Sequence, residues 1–407
     1  MSVIKPFRGI RFSGNDISKL ICPPYDVISG GEKDRLKKIS LHNMVRIELP
    51  DPADYRNKYE NAAHLFASWL KEGVLRKEKG SCLYFYEQNF LDHGKKMTRR
   101  GFFAALKIEN PFKGNVKPHE KTLSKPKEDR LKMLKAVKAN ISPIFGLFHD
   151  KKRKIVNICS KLSKTKEDSF SKDPEKTAHR LWVVNDNKTI KTAASVLKSN
   201  KIFIADGHHR YETSWNYLSE RTKKNKRISA DAACRNVLIF LCPIEDKGLS
   251  IWPTHRVVVP PKGLEKRIED YFDILPKEKF KALLIKRPQP LLIYKDGKFR
   301  TLIAKDRAVL DAAMKGKCRA YKNLGVSILH SVLIPDVLPE NITYVKDDKQ
   351  ALRLARSKKR AAFIVPPTPV KAIKEIALCG QTMPQKSTYF YPKVATGQVI
   401  HSVEGRD

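Results

Sequence analysis

The feature that most constrains this chain is a short apolar run, Lys201-Ile202-Phe203-Ile204-Ala205, which stops at Asp206-Gly207 and gives way to helix-forming sequence from Tyr211 to Leu218. An apolar run of that length rich in isoleucine reads as a buried strand, and the spacing after it as a helix. Units of this kind build an α/β fold, here with mixed sheets. Asp206 to Arg210 fall on the connection. Glycine lets the chain turn there, and the first N–H groups of a helix have no partner inside it, so such a terminus holds phosphate. Asp206, Gly207, His208, His209 and Arg210 add a carboxylate able to take a metal or a proton, two imidazoles, and a guanidinium able to grip phosphate through two parallel hydrogen bonds. The competing structural reading makes Asp206 the helix N-cap, puts one histidine in a core gap and pairs Arg210 with Glu212 or Glu220. Joint metal ligation by both histidines is disfavoured, because adjacent side chains diverge at a helix start.

The remaining sequence fills in the same class. Tyr55 to Leu70 has the spacing of a helix, and Ser81–Phe90 and Arg100–Ile108 read as a hairpin around His93-Gly94. A Lys-Pro-Lys loop precedes a helix expected from about Glu128 to Ala139, and Lys161–Asp173 reads as a charged surface excursion. Beyond Pro260 helices and strands alternate, ending in a helix over Pro369–Leu378. A chain of 407 residues exceeds the size of a single core. Two regions are expected, 1–260 with the strand–helix motif and 261–407 contributing a second polar loop to the site.

Charge raises one rival function. The chain carries 81 Lys+Arg against 43 Asp+Glu, a formal charge of +38. That balance attracts polyanions, but the lysines are dispersed and no zinc finger, helix-turn-helix or RNP-like aromatic pattern accompanies them. A field drawing in small anions is the preferred reading, with nucleic acid as the lesser one. The seven cysteines are scattered and never spaced Cys-x-x-Cys, so they imply neither a disulfide framework nor a zinc ribbon. No run approaches the roughly 18 apolar residues of a membrane span and the first residues lack a signal-peptide core, so a cytoplasmic protein is expected, with its oligomeric state open.

Three further groups bear chemistry. His119 and Glu120 stand among Thr122, Lys125, Lys127 and Arg130, and phosphoryl transfer to a hydroxyl needs cations on the phosphates and a base near the nucleophile. Glu120 is the first choice for that base; its alternative is a carboxylate paired with neighbouring lysines. Lys386, Ser387 and Thr388 have the Lys-Ser/Thr end of a P-loop without its glycines, which leaves a loop placed on phosphate or a structural tail. Pro253-Thr254-His255-Arg256 is a weaker group of the same sort. There is no Gly-x-Ser-x-Gly elbow and no Gly-x-Gly-x-x-Gly after a strand, which removes hydrolase and dinucleotide readings.

Several segments, Pro23-Pro24-Tyr25-Asp26-Val27, Pro118-His119-Glu120-Lys121-Thr122, Pro126–Arg130, Ala205–Tyr211, Pro253–Arg256 and Met383–Lys393, together resemble a prokaryotic family known as domain of unknown function 1015. Asp206-Gly207-His208-His209-Arg210 is also similar to the nucleotide-binding motif of the ParB and sulfiredoxin-like fold, including its free serine kinases. That second resemblance implies a ParB/sulfiredoxin-like core in which Gly207, His208, His209 and Arg210 hold the phosphates of ATP or ADP and Asp206 helps place Mg²⁺ or substrate. It further implies a kinase of a small hydroxylated metabolite, with free L-serine giving O-phosphoserine as the favoured case. A phosphatase of phosphoserine or a related ester, and a ParB-like nucleotide-dependent DNA-binding module, are the alternatives.

Overall fold

The aromatic alternation at 83–86 produces the expected hairpin. Strands Leu83–Asp92 and Lys95–Lys107 pair antiparallel from Tyr84↔Phe103 to Asp92↔Lys95. Between them His93 has φ 47 and Gly94 φ 84, the two left-handed positions that a two-residue hairpin turn requires. Leu83, Phe85, Phe102 and Ala104 enter one core, while Tyr84 and Tyr86 are buried on the opposite face. Those phenols keep hydrogen bonds: Tyr84 OH accepts from Gly9 N at 2.6 Å and donates to Phe7 O at 3.1 Å, and Tyr86 OH meets His179 Nδ1 at 2.6 Å.

This computed structural model describes residues 3–407 apart from residues 55, 112, 121, 123, 226 and 358. Tyr55, the expected start of a helix, and Lys121 lie outside the described residues. Two units are present, the first formed by residues 1–117, 122–250 and 392–407 and the second by residues 118–121 and 251–391.

The first unit is built on a mixed sheet whose strands run in the order Val116–Lys117, Ile202–Asp206, Ile144–Phe148, Asn236–Pro243, Lys95–Lys107, Leu83–Asp92, Ala178–Val184, Ser169–Lys172. Ile202–Asp206 is antiparallel to Ile144–Phe148, which is parallel to Asn236–Pro243. The apolar strand of the motif thus lies inside the sheet, with Ile202, Ile204 and Tyr211 in the main core. A second core in this unit packs Ile47, Phe66, Trp69 and Met133. Helix Lys58–Lys71 starts with a capping box: the Asn57 side chain accepts from Tyr59 N and Glu60 N, and Glu60 accepts from Asn57 N.

Three expectations need correction. The helix expected from Glu128 spans Ser124–Val137, with Pro126 in the first turn, where its missing N–H has no intrahelical partner to lose. Residues 161–173 are not a plain excursion, since helix Lys154–Leu162 ends there and Ser169–Lys172 pairs with Ala178–Leu181. A helix at Asn187–Leu197, capped by Asp186, was not foreseen.

The second unit holds a six-stranded sheet in the order Phe272–Leu275, Lys298–Ala304, Leu291–Lys295, Ala361–Ile364, His255–Val258, Thr343–Val345. All five pairings are antiparallel. Helix Asp348–Ser357 covers it, bringing Ala351 and Ala355 against Val257, Leu292 and Ala362. Among the described residues no helix is long and apolar enough to cross a membrane.

Candidate functional site

In the first unit the strand reaches Asp206 and the helix begins at His208, running to Lys224, so only Gly207 forms the connection and His208 to Arg210 already occupy the first helical turn. Gly207 is the N-cap, at φ 87 and ψ 29, and as a glycine it makes no side-chain cap. Asp206 is therefore not the cap. Its carboxylate lies between two cations: Oδ1 accepts from Lys393 Nζ at 2.5 Å and Oδ2 from Arg210 Nη2 at 2.7 Å. Arg210 also donates through Nη1 to Pro143 O. The surface pairing of Arg210 with Glu212 or Glu220 does not occur, because Glu212 takes Lys127 at 2.9 Å and Glu220 takes Lys135 at 2.6 Å. His208 is buried and His209 half-buried.

A side chain at position 207 would carry a double penalty. A Cβ there would stand 3.0 Å from Arg210 Nε and 3.2 Å from its Cζ, in a backbone region that L-residues rarely adopt. Gly207→Ala is accordingly expected to destabilise the first unit by about 1–3 kcal/mol and to weaken anion binding, read by denaturant titration and by calorimetry with nucleotide.

Lys393 is the residue that sequence reasoning missed. It falls within the Met383–Lys393 segment but was overlooked in favour of Lys386, because nothing in its spacing separates it from the other lysines. Its place is set from beneath by Arg99, which is fully buried, donates to Gln88 Oε1 and to Pro392 O at 2.5 Å, and stacks 4.9 Å from the Phe145 ring. Gln88 Nε2 donates to Lys393 O at 3.0 Å. The carbonyls of both 392 and 393 are thus fixed by the hairpin strands, and the Lys393 ammonium is delivered to Asp206 from a rigid base.

Tyr25 and Arg130, from two other segments of the family resemblance, join the same unit-one cluster. Arg130 is buried, with its guanidinium 4.4 Å above the Tyr25 ring and Nη1 donating to Glu48 O at 3.1 Å. Burial pushes the Tyr25 phenol up to about 12, with Asp26 adding to the rise and Arg210 opposing it. Burial also works to raise Asp129, but a hydrogen bond from Lys58 and the adjoining Arg130 guanidinium outweigh it and bring that carboxyl down to about 2. Asp129 thus acts as a clamp, holding Lys58 at 2.7 Å and Tyr59 OH at 2.9 Å as well as Arg130. Neither Glu128 nor Asp129 starts the helix; both lie more than one turn inside it, and Glu128 pairs with Lys132 at 2.8 Å.

The second unit gathers the other candidates. Glu120 Oε1 accepts from the backbone N–H of Lys386 at 2.8 Å, and His119 Nε2 lies 3.2 Å from Thr388 Oγ1. Met383 N donates to His119 O at 2.7 Å and Glu120 forms a β-bridge with Met383, so residues 119–120 and the 383–388 loop are stitched side by side. Ser387 and Thr388 are buried, with the Ser387 hydroxyl donating to Pro384 O at 2.5 Å, whereas Lys386 is exposed and left-handed at φ 53. Arg256, from the group ranked weakest in the sequence, supports this loop: fully buried, it donates to Gln385 O and Lys386 O, both at 3.0 Å, and to Thr254 O. Burial draws its guanidinium down to about 10.

Arg256 Nε also donates to His330 Nε2 at 3.2 Å, which requires that nitrogen to be unprotonated. Burial first, and the Arg256 charge second, push His330 down to about 3 from an ordinary 6.5. Between those values the folded unit binds fewer protons than the unfolded chain, so stability is present above pH 6.5 and is lost as pH falls toward 3. His330→Gln keeps an acceptor without titrating and is expected to flatten that acid slope, measured as unfolding free energy between pH 7 and pH 4.

Each carboxylate oxygen of Asp206 receives a cationic donor. Among the described residues no group of three or more His, Cys, Asp and Glu side chains is placed to hold a metal.

The sequence profile of a family described as "Protein of unknown function (DUF1015)" matches residues 4–327. The chain belongs to this family. No curated protein matches the chain of this DUF1015 member. Solved structures similar to it include SbnI with a C-terminal truncation from Staphylococcus aureus, at 11% identity over 73% of this chain and 86% of that one, with a TM-score of 0.39. A free serine kinase in complex with AMP is 10% identical over 68% and 83% of the two chains, with a TM-score of 0.36. A conserved hypothetical protein from Pyrococcus furiosus is 12% identical over 70% and 92%, with a TM-score of 0.34.

Proposed function

We propose that the protein is a nucleotide-dependent phosphotransferase acting on a small hydroxylated metabolite, with ATP or ADP as donor and free L-serine as the favoured acceptor. The observation that carries this reading is the start of helix His208–Lys224, with Gly207 left-handed at its N-cap and the Lys393 ammonium and Arg210 guanidinium both fixed on Asp206 beside it. Backbone N–H groups at a helix start together with two anchored cations favour a polyphosphate. The likeness of Asp206–Arg210 to the ParB and sulfiredoxin-like nucleotide motif supports the same ligand, and with it a core of that kind. Because the Arg210 fork is directed at Asp206 and Pro143 O, the phosphate contacts fall to the helix N–H groups, His209 and Lys393, with Arg210 holding Asp206 in place. Glu120 is the proposed base, its orientation set by the Lys386 N–H. No step is assigned to protein-bound Mg²⁺; in this reading the ion arrives on the nucleotide phosphates.

The test is incubation of the purified protein with ATP or ADP, Mg²⁺ and L-serine, following phosphoserine and nucleotide together. Phosphoserine formed in step with nucleotide consumption is expected. Absence of nucleotide consumption with serine and related alcohols would refute the reading. Phosphate released from phosphoserine alone would replace it by a phosphatase, and nucleotide-dependent, salt-sensitive DNA binding by a DNA-binding module.

A further inference from the structure

Beside the Asp206 cluster, the first unit buries two polar atoms that its own hydrogen bonding leaves unsatisfied. Glu48 ends the short helix Val45–Glu48 and is only 1% exposed. Its Oε1 accepts from Tyr25 N at 3.1 Å and from Ser142 Oγ at 2.6 Å, whereas its Oε2, equally buried, accepts no hydrogen bond. Arg210 Nε is likewise buried and donates to nothing, its two terminal nitrogens being committed to Pro143 O and Asp206. Glu48 and Arg210 line the same cavity of about 50 Å³, together with Arg130, Ser142, Leu134 and Ile141.

Two residues that line one small cavity thus each hold an unsatisfied polar atom, one an acceptor and one a donor, of opposite charge. Folded proteins seldom bury such atoms without partners, because desolvation then goes uncompensated. A molecule bearing a cationic donor and an oxygen acceptor satisfies both at once. At roughly 10–15 Å³ for each water-sized group, the cavity takes a few such groups, enough for the head of a small metabolite and too little for a nucleotide base. The apolar wall of Leu134 and Ile141 keeps the local dielectric low, which strengthens a charge-assisted bond to Glu48.

We propose that this cavity is the recognition site for the acceptor, with Glu48 Oε2 receiving an ammonium group and Arg210 Nε donating to an oxygen of the same molecule. The acceptor class is then an amino-bearing hydroxy compound, zwitterionic or cationic, and Glu48 is the residue that sets this specificity. The inference rests on the phosphotransferase reading for the identity of the ligand as acceptor, but the pocket's preference for an ammonium can be tested without turnover.

The experiment is calorimetric binding of three probes to the full chain: L-serine, ethanolamine, which has the ammonium and hydroxyl without the carboxylate, and glycerate, which has the hydroxyl and carboxylate without the ammonium. L-Serine is expected to bind at least about tenfold tighter than glycerate, with ethanolamine between them. Glu48→Gln keeps an acceptor for Tyr25 N and Ser142 Oγ and is expected to erase the difference between serine and glycerate. Equal affinity for these two in the wild type, no binding of any probe, or a preference that survives in Glu48→Gln each overturns the proposal. Should that variant fail to fold, the wild-type comparison decides alone. Phosphoryl transfer without ammonium preference would leave the function standing and remove the pocket; Glu48-dependent serine binding without transfer would do the reverse.

Discussion

Glu120→Gln is expected to lower kcat by about 10²–10⁴-fold while nucleotide affinity stays within a factor of about two. The substitution is sharp because of how the Glu120 carboxylate meets the loop: Oε1 accepts from Lys386 N at 2.8 Å, and a glutamine carbonyl can accept in the same place. The loop therefore persists and only the capacity to take a proton is lost. Single-turnover assays paired with nucleotide titration check this. Wild-type turnover in the variant would remove Glu120 from the chemistry and leave it as a loop anchor.

Arg210→Ala carries the second large effect, a fall of about 10²–10³-fold in kcat/KM. The loss is of the group that holds Asp206 in place rather than of a phosphate ligand. Arg210 ties Asp206 to Pro143 O, so alanine leaves the carboxylate held by Lys393 alone, and the Asp206–Lys393 pair loses the second positive charge that favours an anion beside it. Arg210→Lys restores the charge but cannot span Asp206 and Pro143 at once, and is expected to recover only part of the activity. Thermal unfolding separates the roles: because a buried charge-assisted bond disappears, the alanine variant is also expected to lose about 1–3 kcal/mol of stability. A variant that is destabilised yet turns over normally would make Arg210 purely structural.

The elements around these residues were legible in the sequence wherever periodicity or a glycine marked them. The strand before Asp206, the hairpin at 83–107 and the last helix, Val370–Leu378, follow from apolar spacing and turn chemistry. Helix Ser124–Val137 was placed too late because Pro126 reads as a break, although the first turn of a helix tolerates it. The site was legible only in its local part. Asp206 to Arg210 stand together in the chain, but Lys393 reaches Asp206 across 187 positions, and no spacing rule foretells such a contact. Glu48 lay in an unremarkable stretch, and only its buried, half-used carboxylate distinguishes it. Arg99 and Arg256 are harder still: arginines in strands read as surface charge, and their full burial is visible only once the carbonyls they bind are in place.

The long reach of Lys393 has a consequence for how the molecule comes into being on the ribosome. A nascent chain contains the whole strand, glycine and helix of the motif long before Lys393 is made, and domains generally fold in the order of their synthesis. Until residues 392–407 emerge and add to the first unit, Asp206 has Arg210 but lacks its second cation, and the carbonyls bound by Arg99 and Gln88 are missing. An incomplete chain thus displays the motif without the competence, and the site is finished only when the distant segment that carries Lys393 has been translated.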